Sequence, residues 1–275
     1  MFGRIALYGT LLASAFAFVF ILFSLEYERM ITGSLPATVA SLPTLTTDTW
    51  GIFDPKTGEM LQAQNEERIQ PIASITKLFT ANAVMESDKK DRTFSITWAD
   101  IETEGRSKLA AGDMMSPYEL LFPLLIESSN DAAEAIRRSL GSDFTNSVAS
   151  LTSTVPLTKT VLGDASGLSA TNVSTVRELA AFYAYLKRTH PHVLDISRLR
   201  MYITEEVGYV NNNPARNILS FTGGKNGYTI AAGKTFIGTF KENGREVGIV
   251  ILGSSDISAD IERLLSFAAP DIMTQ

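Results

Sequence analysis

The chain has no cysteine among its 275 residues. Disulfides, thiolate nucleophiles and cysteine-ligated metals are therefore excluded together. Histidine is almost as scarce, since His190 and His192, on either side of Pro191, are the whole supply. They lie too close in sequence to suggest a triad or a metal cluster, and they read as surface residues in a loop after a helix. No metal-ligand cluster and no nucleotide-binding loop appear, so neither a metal nor a cofactor is expected. Clustered positive charge is missing as well. With 24 Lys and Arg against 30 Asp and Glu, and a net charge of -6, the chain lacks the basic patch that a phosphate backbone requires, which argues against a nucleic-acid partner. There is no internal repeat and no low-complexity tract. Apolar material is plentiful, at 45% of residues, which suffices for a substantial core.

Charge is also absent from one long stretch. Ile5 to Leu25 reads IALYGTLLASAFAFVFILFSL, about 21 residues and hence about 31 Å as a helix, which matches a bilayer core. A cleaved signal peptide would have an apolar region of about 7 to 15 residues with a small-x-small site close behind. Here EYERM follows directly, so an uncleaved single-pass anchor is the expectation. Arg4 precedes the span while Glu26 and Glu28 follow it, and this charge bias puts the N-terminus inside and the rest outside. The domain reading is thus an anchor at 1–25, a Ser/Thr/Pro-rich linker at 26–46 and a body at 47–275.

In the body, TWGIFD and EMLQAQ flank PKTG and read as a hairpin. Ser74 to Met85 is apolar all round, as a buried helix is. Ser116-Pro117-Tyr118-Glu119 has the pattern of a helix start, carrying Leu120, Leu121, Leu124 and Leu125. Ser128-Ser129-Asn130-Asp131 interrupts it, with Asn130 or Asp131 capping a second helix through Leu140 that Gly141 ends. Thr175 and Glu178 cap another, to about Lys187. The period then changes to two: NILSF, YTIAAGKTFIGTF and REVGIVIL read as strands, the last two joined by KENG, and SADIERLLSFAA closes the chain as an amphipathic helix. Strands at both ends of the body with helices between them predict an α+β (α/β) fold around one antiparallel sheet.

Three short patterns could carry chemistry. Ser74 and Lys77 share a helix face, so the amine can reach the hydroxyl. It can act as base for that alcohol only when neutral, which burial and a neighbouring positive charge both favour. Ser128 and Asn130 flank the helix break, where a helix end followed by an N-cap is the plainer reading. Lys225 and Gly227, in GGKNGYT, belong either to an Asn-Gly hairpin turn or to a strand edge. Two further matches read as decoys: Ser87-x-x-Lys90 lies in a solvated charged run, and Lys56-Thr57-Gly58 lies in the first hairpin turn.

Taken in order, Ser74-x-x-Lys77, Ser128-x-Asn130 and Lys225-x-Gly227 resemble the penicillin-recognising serine peptidases, specifically the low-molecular-mass D-alanyl-D-alanine carboxypeptidase and endopeptidase family. FDPKTGEMLQAQNEERIQPIASITKLFT, DASGLSATNVST and GGKNGYTIAAG extend the likeness over roughly residues 47 to 268. The resemblance implies a β-lactamase/DD-peptidase-like sheet with a helical subdomain, a bacterial cell-wall enzyme at the cytoplasmic membrane, peptidoglycan peptides ending in D-Ala-D-Ala as substrates and β-lactams as covalent inhibitors. It implies Ser74 as nucleophile, Lys77 as base, Ser128 as proton relay, Asn130 as substrate and Lys77 ligand, and Lys225 as positive charge. The backbone N–H groups of Ser74 and Tyr228 would form the oxyanion hole. Asn226, Gly227, Tyr228 and Thr229 would line the site, with the hairpin turn falling earlier, around Thr222 to Gly224. Arg216 resembles the family's carboxylate-binding arginine, and a solvated strand-end residue is an equal alternative. One departure stands out, in that the family usually has Thr where this chain has Asn226, so activity or penicillin affinity is expected to be reduced. A class A β-lactamase would add a Glu-x-x-Leu-Asn segment, and none lies between Asn130 and Lys225. A membrane-tethered binding protein without activity is the other alternative, supported only by Asn226.

Overall fold

The computed structural model describes residues 42–101, 108–242 and 244–273. The apolar run at 5–25 and most of the linker at 26–46 lie outside them. Among the described residues no helix is long and apolar enough to cross a membrane.

The first hairpin forms as read. Strand β1 (Thr49–Phe53) turns into β2 (Met60–Gln64) through Asp54, whose side chain accepts from Lys56 N and whose carbonyl accepts from Gly58 N. Asp and Gly are favoured in such turns for these reasons. Three later strands, β3 (Phe221–Thr229), β4 (Gly233–Glu242) and β5 (Arg245–Ser254), complete an antiparallel sheet of order β2-β1-β5-β4-β3. The N-terminal hairpin pairs with the last strand, with Ile52 opposite Ile249.

Alternate residues of this sheet serve two cores, as the strand period of two requires. Trp50, Ile52, Phe236, Ile249 and Ile251 pack on Ile257, Ile261 and Leu264 of the closing helix α6 (Ile257–Met273). Phe53, Ile237, Val250 and Leu252 join the larger core of the helical layer. That layer comprises α1 (Thr76–Glu86), α2 (Asn130–Leu140), α3 (Ser142–Thr154), α4 (Val176–Thr189) and α5 (Pro191–Ser197). Strand β5 reads as an unbroken apolar run because both of its faces are covered. Helix α1 is buried on every side, as its composition predicts.

Several local readings change. The Ser116 and Glu119 capping box forms, with Ser116 N donating to Glu119 Oε2 and Glu119 N to Ser116 Oγ. The segment does not continue as an α-helix, because Pro123 has no N–H to donate and Pro123–Glu127 widens into a π turn. Ser129 caps α2, through its hydroxyl and Ala132 N, so neither Asn130 nor Asp131 fills that role. NILSF is not a strand: Asn213 caps a 3-10 turn over Pro214–Asn217, and β3 starts only at Phe221. The turn expected around Thr222 to Gly224 lies instead at 230–232, closed by Ala232 N donating to Thr229 Oγ1. Gly223 stays within β3 because it crosses α5, where a Cβ would lie 2.7 Å from Leu194 O. His190 is no loose surface residue, since its Nε2 sits 2.7 Å from Glu86 Oε1 with the side chain 16% exposed.

Helix α4 and strand β3 are joined by one side chain. Tyr183 Oη donates to Gly223 O at 2.8 Å and lies 2.9 Å from Thr239 Oγ1, all of it buried. Tyr183→Phe leaves these acceptors without that donor and should cost about 1–3 kcal/mol, read as a lower urea midpoint at unchanged m-value.

Candidate active site

The nucleophile turn is set by backbone geometry. Ala73 has φ of 47°, in the left-handed region, and Ala73–Ile75 form a 3-10 turn that feeds α1. A non-glycine residue there costs of order 1–3 kcal/mol. Neighbouring hydrogen bonds oppose that cost: Thr76 Oγ1 donates to Ala73 O, and Thr235 Oγ1, from β4, donates to Ile72 O. Ser74 is thereby presented at the floor of a cleft of about 580 Å³.

One turn further on, Lys77 is 0% exposed. Its Nζ lies 3.0 Å from Ser74 Oγ, 2.7 Å from Asn130 Oδ1 and 2.6 Å from Ser166 O. Asn130 Oδ1 and Ser166 O can only accept. A neutral amine that donates its two hydrogens to them turns its lone pair to the Ser74 hydroxyl, and a protonated amine donates its third hydrogen there. Both states of a proton-accepting amine fit one geometry.

Asn130 reaches Lys77 because Ser129 does the capping. The π turn ends at Ser128, at φ of 64°, and Ser128, Ser129 and Asn130 line one wall of the cleft. The facing wall is Asn226, Gly227, Tyr228 and Thr229 of β3. The strand comes so close that a Cβ on Gly227 would lie 2.5 Å from Ser74 N and 2.8 Å from Thr235 Oγ1. GGKNGYT is therefore a strand edge, and the Asn-Gly pair makes no turn.

Lys225 lies in β3, 1% exposed, with Nζ donating to Asn226 O at 2.7 Å. Burial first, and then the charge of Lys77, hold its amine well below the usual lysine range. Asn226 lines the cleft, yet its Oδ1 is buried without a hydrogen-bond partner. Arg216 is not among the residues lining the cleft; its Nη1 donates to Asn213 O at 3.2 Å.

Sequence reasoning missed the third acceptor of Lys77. A backbone carbonyl leaves no side-chain signature, and only the DASGL string marked the loop that carries it. Lys108, Glu127, Asp131, Leu168 and Asn212 also line the cleft; nothing in their spacing announced them.

Residues 36–256 match the D-alanyl-D-alanine carboxypeptidases of peptidase family S11. The chain belongs to this family. Among relatives of this DD-peptidase, a D-alanyl-D-alanine endopeptidase of Haemophilus influenzae is 28% identical over 218 residues, covering 74% of each chain. A D-alanyl-D-alanine carboxypeptidase of Mycobacterium tuberculosis is 25% identical over 228 residues, covering 79% of this chain and 78% of that one. The crystal structure of a D-alanyl-D-alanine carboxypeptidase from M. tuberculosis H37Rv superposes with a TM-score of 0.77 at 24% identity, covering 86% of this chain and 95% of that chain. Penicillin-binding protein D2 of Listeria monocytogenes, solved with cefotaxime bound, gives 0.68 at 26% identity, with coverages of 82% and 97%. The expected DD-peptidase fold, an antiparallel sheet with flanking helices, is thereby shown.

Two outcomes follow for this DD-peptidase. Gly227→Ala forces β3 away from Ser74 N and should lower peptidase turnover about 10²-fold or more, measured as D-Ala released from a stem pentapeptide. Lys225 binds a proton in the unfolded chain up to about 10.4 and releases it well below that when folded. Within that window the unfolded state binds more protons, so stability rises with pH. Lys225→Met removes this contribution, and its Tm should climb less steeply than wild type from neutral pH towards pH 10.

Proposed function

We propose that this DD-peptidase is a serine-type D-Ala-D-Ala carboxypeptidase acting on peptidoglycan stem peptides through an acyl-enzyme on Ser74. The observation that carries the reading is the buried Lys77 amine 3.0 Å from Ser74 Oγ, held by two further acceptors. Ser74 Oγ attacks the carbonyl of the penultimate D-Ala while its proton passes to Lys77 Nζ. The backbone N–H groups of Ser74 and Tyr228 receive the oxyanion. The C–N bond breaks as Ser128 Oγ gives its proton to the leaving D-Ala amine and takes up the one held on Lys77 Nζ, which leaves Lys77 neutral and an ester on Ser74. Water then hydrolyses that ester and restores the hydroxyl.

The family description supports carboxypeptidase action. Endopeptidase action is the second reading, supported by the Haemophilus relative. Asn226 replaces a hydroxyl with an amide that can still donate hydrogen bonds to a carboxylate, though with a different reach, and its unpartnered Oδ1 supports reduced activity. β-Lactams are proposed as covalent inhibitors, and the uncharged run at 5–25 supports a membrane anchor with the body outside.

A fluorescent penicillin should label wild type, fail on Ser74→Ala and label Asn226→Thr faster. No adduct on wild type, together with no D-Ala release from a pentapeptide, would instead mean a binding protein without activity. Mass analysis of digested muropeptides separates loss of a terminal D-Ala from cleavage of cross-links. Carbonate-washed membranes should retain the full chain and release one lacking residues 1–25.

A further inference from the structure

The third acceptor of Lys77 belongs to the loop 163–169, and a single carboxylate organises that loop. Asp164 Oδ1 accepts from Ser166 N at 2.8 Å, Ser166 Oγ at 3.0 Å and Gly167 N at 2.5 Å, while Oδ2 accepts from Ser169 N at 2.6 Å. The Gly167 N–H and the Ser166 carbonyl are two ends of one planar peptide group. Asp164 therefore holds one end of that group, and the other end accepts from Lys77 Nζ at 2.6 Å. The loop is pressed against α1 and against the 3-10 turn that feeds it, at one further point each. Thr80 Oγ1 donates to Ala165 O at 2.6 Å. Gly167, at φ of 89°, approaches so closely that a Cβ would lie 2.0 Å from Ala73 O. Three backbone N–H groups hold the Asp164 carboxyl below its usual range against the opposing effect of burial, the largest single influence.

We propose that Asp164 is a positioning residue for acylation: through the Ser166–Gly167 peptide it fixes the direction of the Lys77 amine towards Ser74. The inference rests on the reading of Ser74 and Lys77 as the acylating pair. Two physical effects act together. Orientation comes first, because a carbonyl held at both ends of its peptide cannot rotate away, and together with Asn130 Oδ1 it turns the amine towards the hydroxyl. Charge is the second, because a carboxylate one peptide away polarises that peptide and favours the ammonium formed when Ser74 gives up its proton. Asp164→Asn retains an acceptor at Oδ1 but removes the charge and sets an amide N–H against Ser169 N–H.

The test uses the full chain in detergent, with the rate of fluorescent-penicillin acylation measured from pH 5 to 9 and normalised to the sites labelled at saturation. Asp164→Ala should acylate about 10²-fold more slowly per active site, the size of loss expected when a reacting group is misplaced. Asp164→Asn should lose less, about tenfold, and its acidic limb should move to lower pH, because removing a negative charge favours the neutral base. Unchanged rates per active site with an unmoved limb would overturn the proposal, whatever the variants do to stability. Should Asp164→Ala not fold, the limb of Asp164→Asn decides alone. Labelling that survives in Ser74→Ala would instead defeat the acylating-pair reading beneath it.

Discussion

One buried amine sets the requirements that the rest of this fold meets. Taking a lysine fully out of water is costly unless its hydrogens are received. Lys77 finds acceptors on three separate stretches of chain: Ser74 one turn back, Asn130 at the start of α2 and Ser166 in the loop 163–169. Each stretch has its own local reason for being there. The 3-10 turn delivers Ser74. The π turn forced by Pro123 ends the preceding segment, so that Ser129 caps α2 and leaves the Asn130 amide for the amine. The loop is folded around Asp164. Displacing any of the three would take an acceptor from the amine, so the packing of these stretches and the assembly of the site are coupled.

The sheet contributes by proximity more than by polar contact. Strand β3 lies against the nucleophile turn at Gly227, where no side chain would fit, and Thr235 on the neighbouring strand ties β4 to Ile72 O. Close approach also brings a second amine towards the first. Lys225 is buried, and the charge of Lys77 adds to that burial in disfavouring its protonation.

Much of this was legible in the sequence. Helix α1, the capping box at Ser116, the N-cap at Thr175, the first hairpin and the antiparallel sheet follow from period and turn chemistry. The order of Ser74, Lys77, Ser128, Asn130, Lys225 and Gly227 marked the cleft, although none of those patterns is decisive alone. What escaped is of another kind. Asn-Gly favours a turn locally, and GGKNGYT is a strand because it pairs with β4 along its whole length, Lys225 opposite Ile237 and Gly227 opposite Thr235. Tertiary pairing overrode local preference there. The Ser166 carbonyl was invisible because every residue carries one, and only the folded loop selects it. Arg216 was legible as a residue type but not as a position, since its guanidinium turns to Asn213 O.

The departures from local rules collect where the chemistry is. Among the described residues the non-glycine residues with positive φ are Asn65, Ala73 and Ser128. Asn65 is a turn residue of a type that tolerates this conformation, whereas Ala73 adjoins the nucleophile and Ser128 lines the wall opposite β3. Two fully buried lysines and the unpartnered Asn226 Oδ1 belong to the same place. Asn82, Ser147 and Ser220 also carry unpartnered buried oxygens, so the concentration is not complete. Even so, strain, buried charge and an unmet acceptor coincide at one cleft. The large cores on either side of the sheet follow period and packing closely, and they hold those costs in place. A chain selected for stability alone would have no reason to bury two amines and hold one of them 3.0 Å from a hydroxyl, and this is the physical sense in which the cleft is the part of the molecule shaped by its reaction.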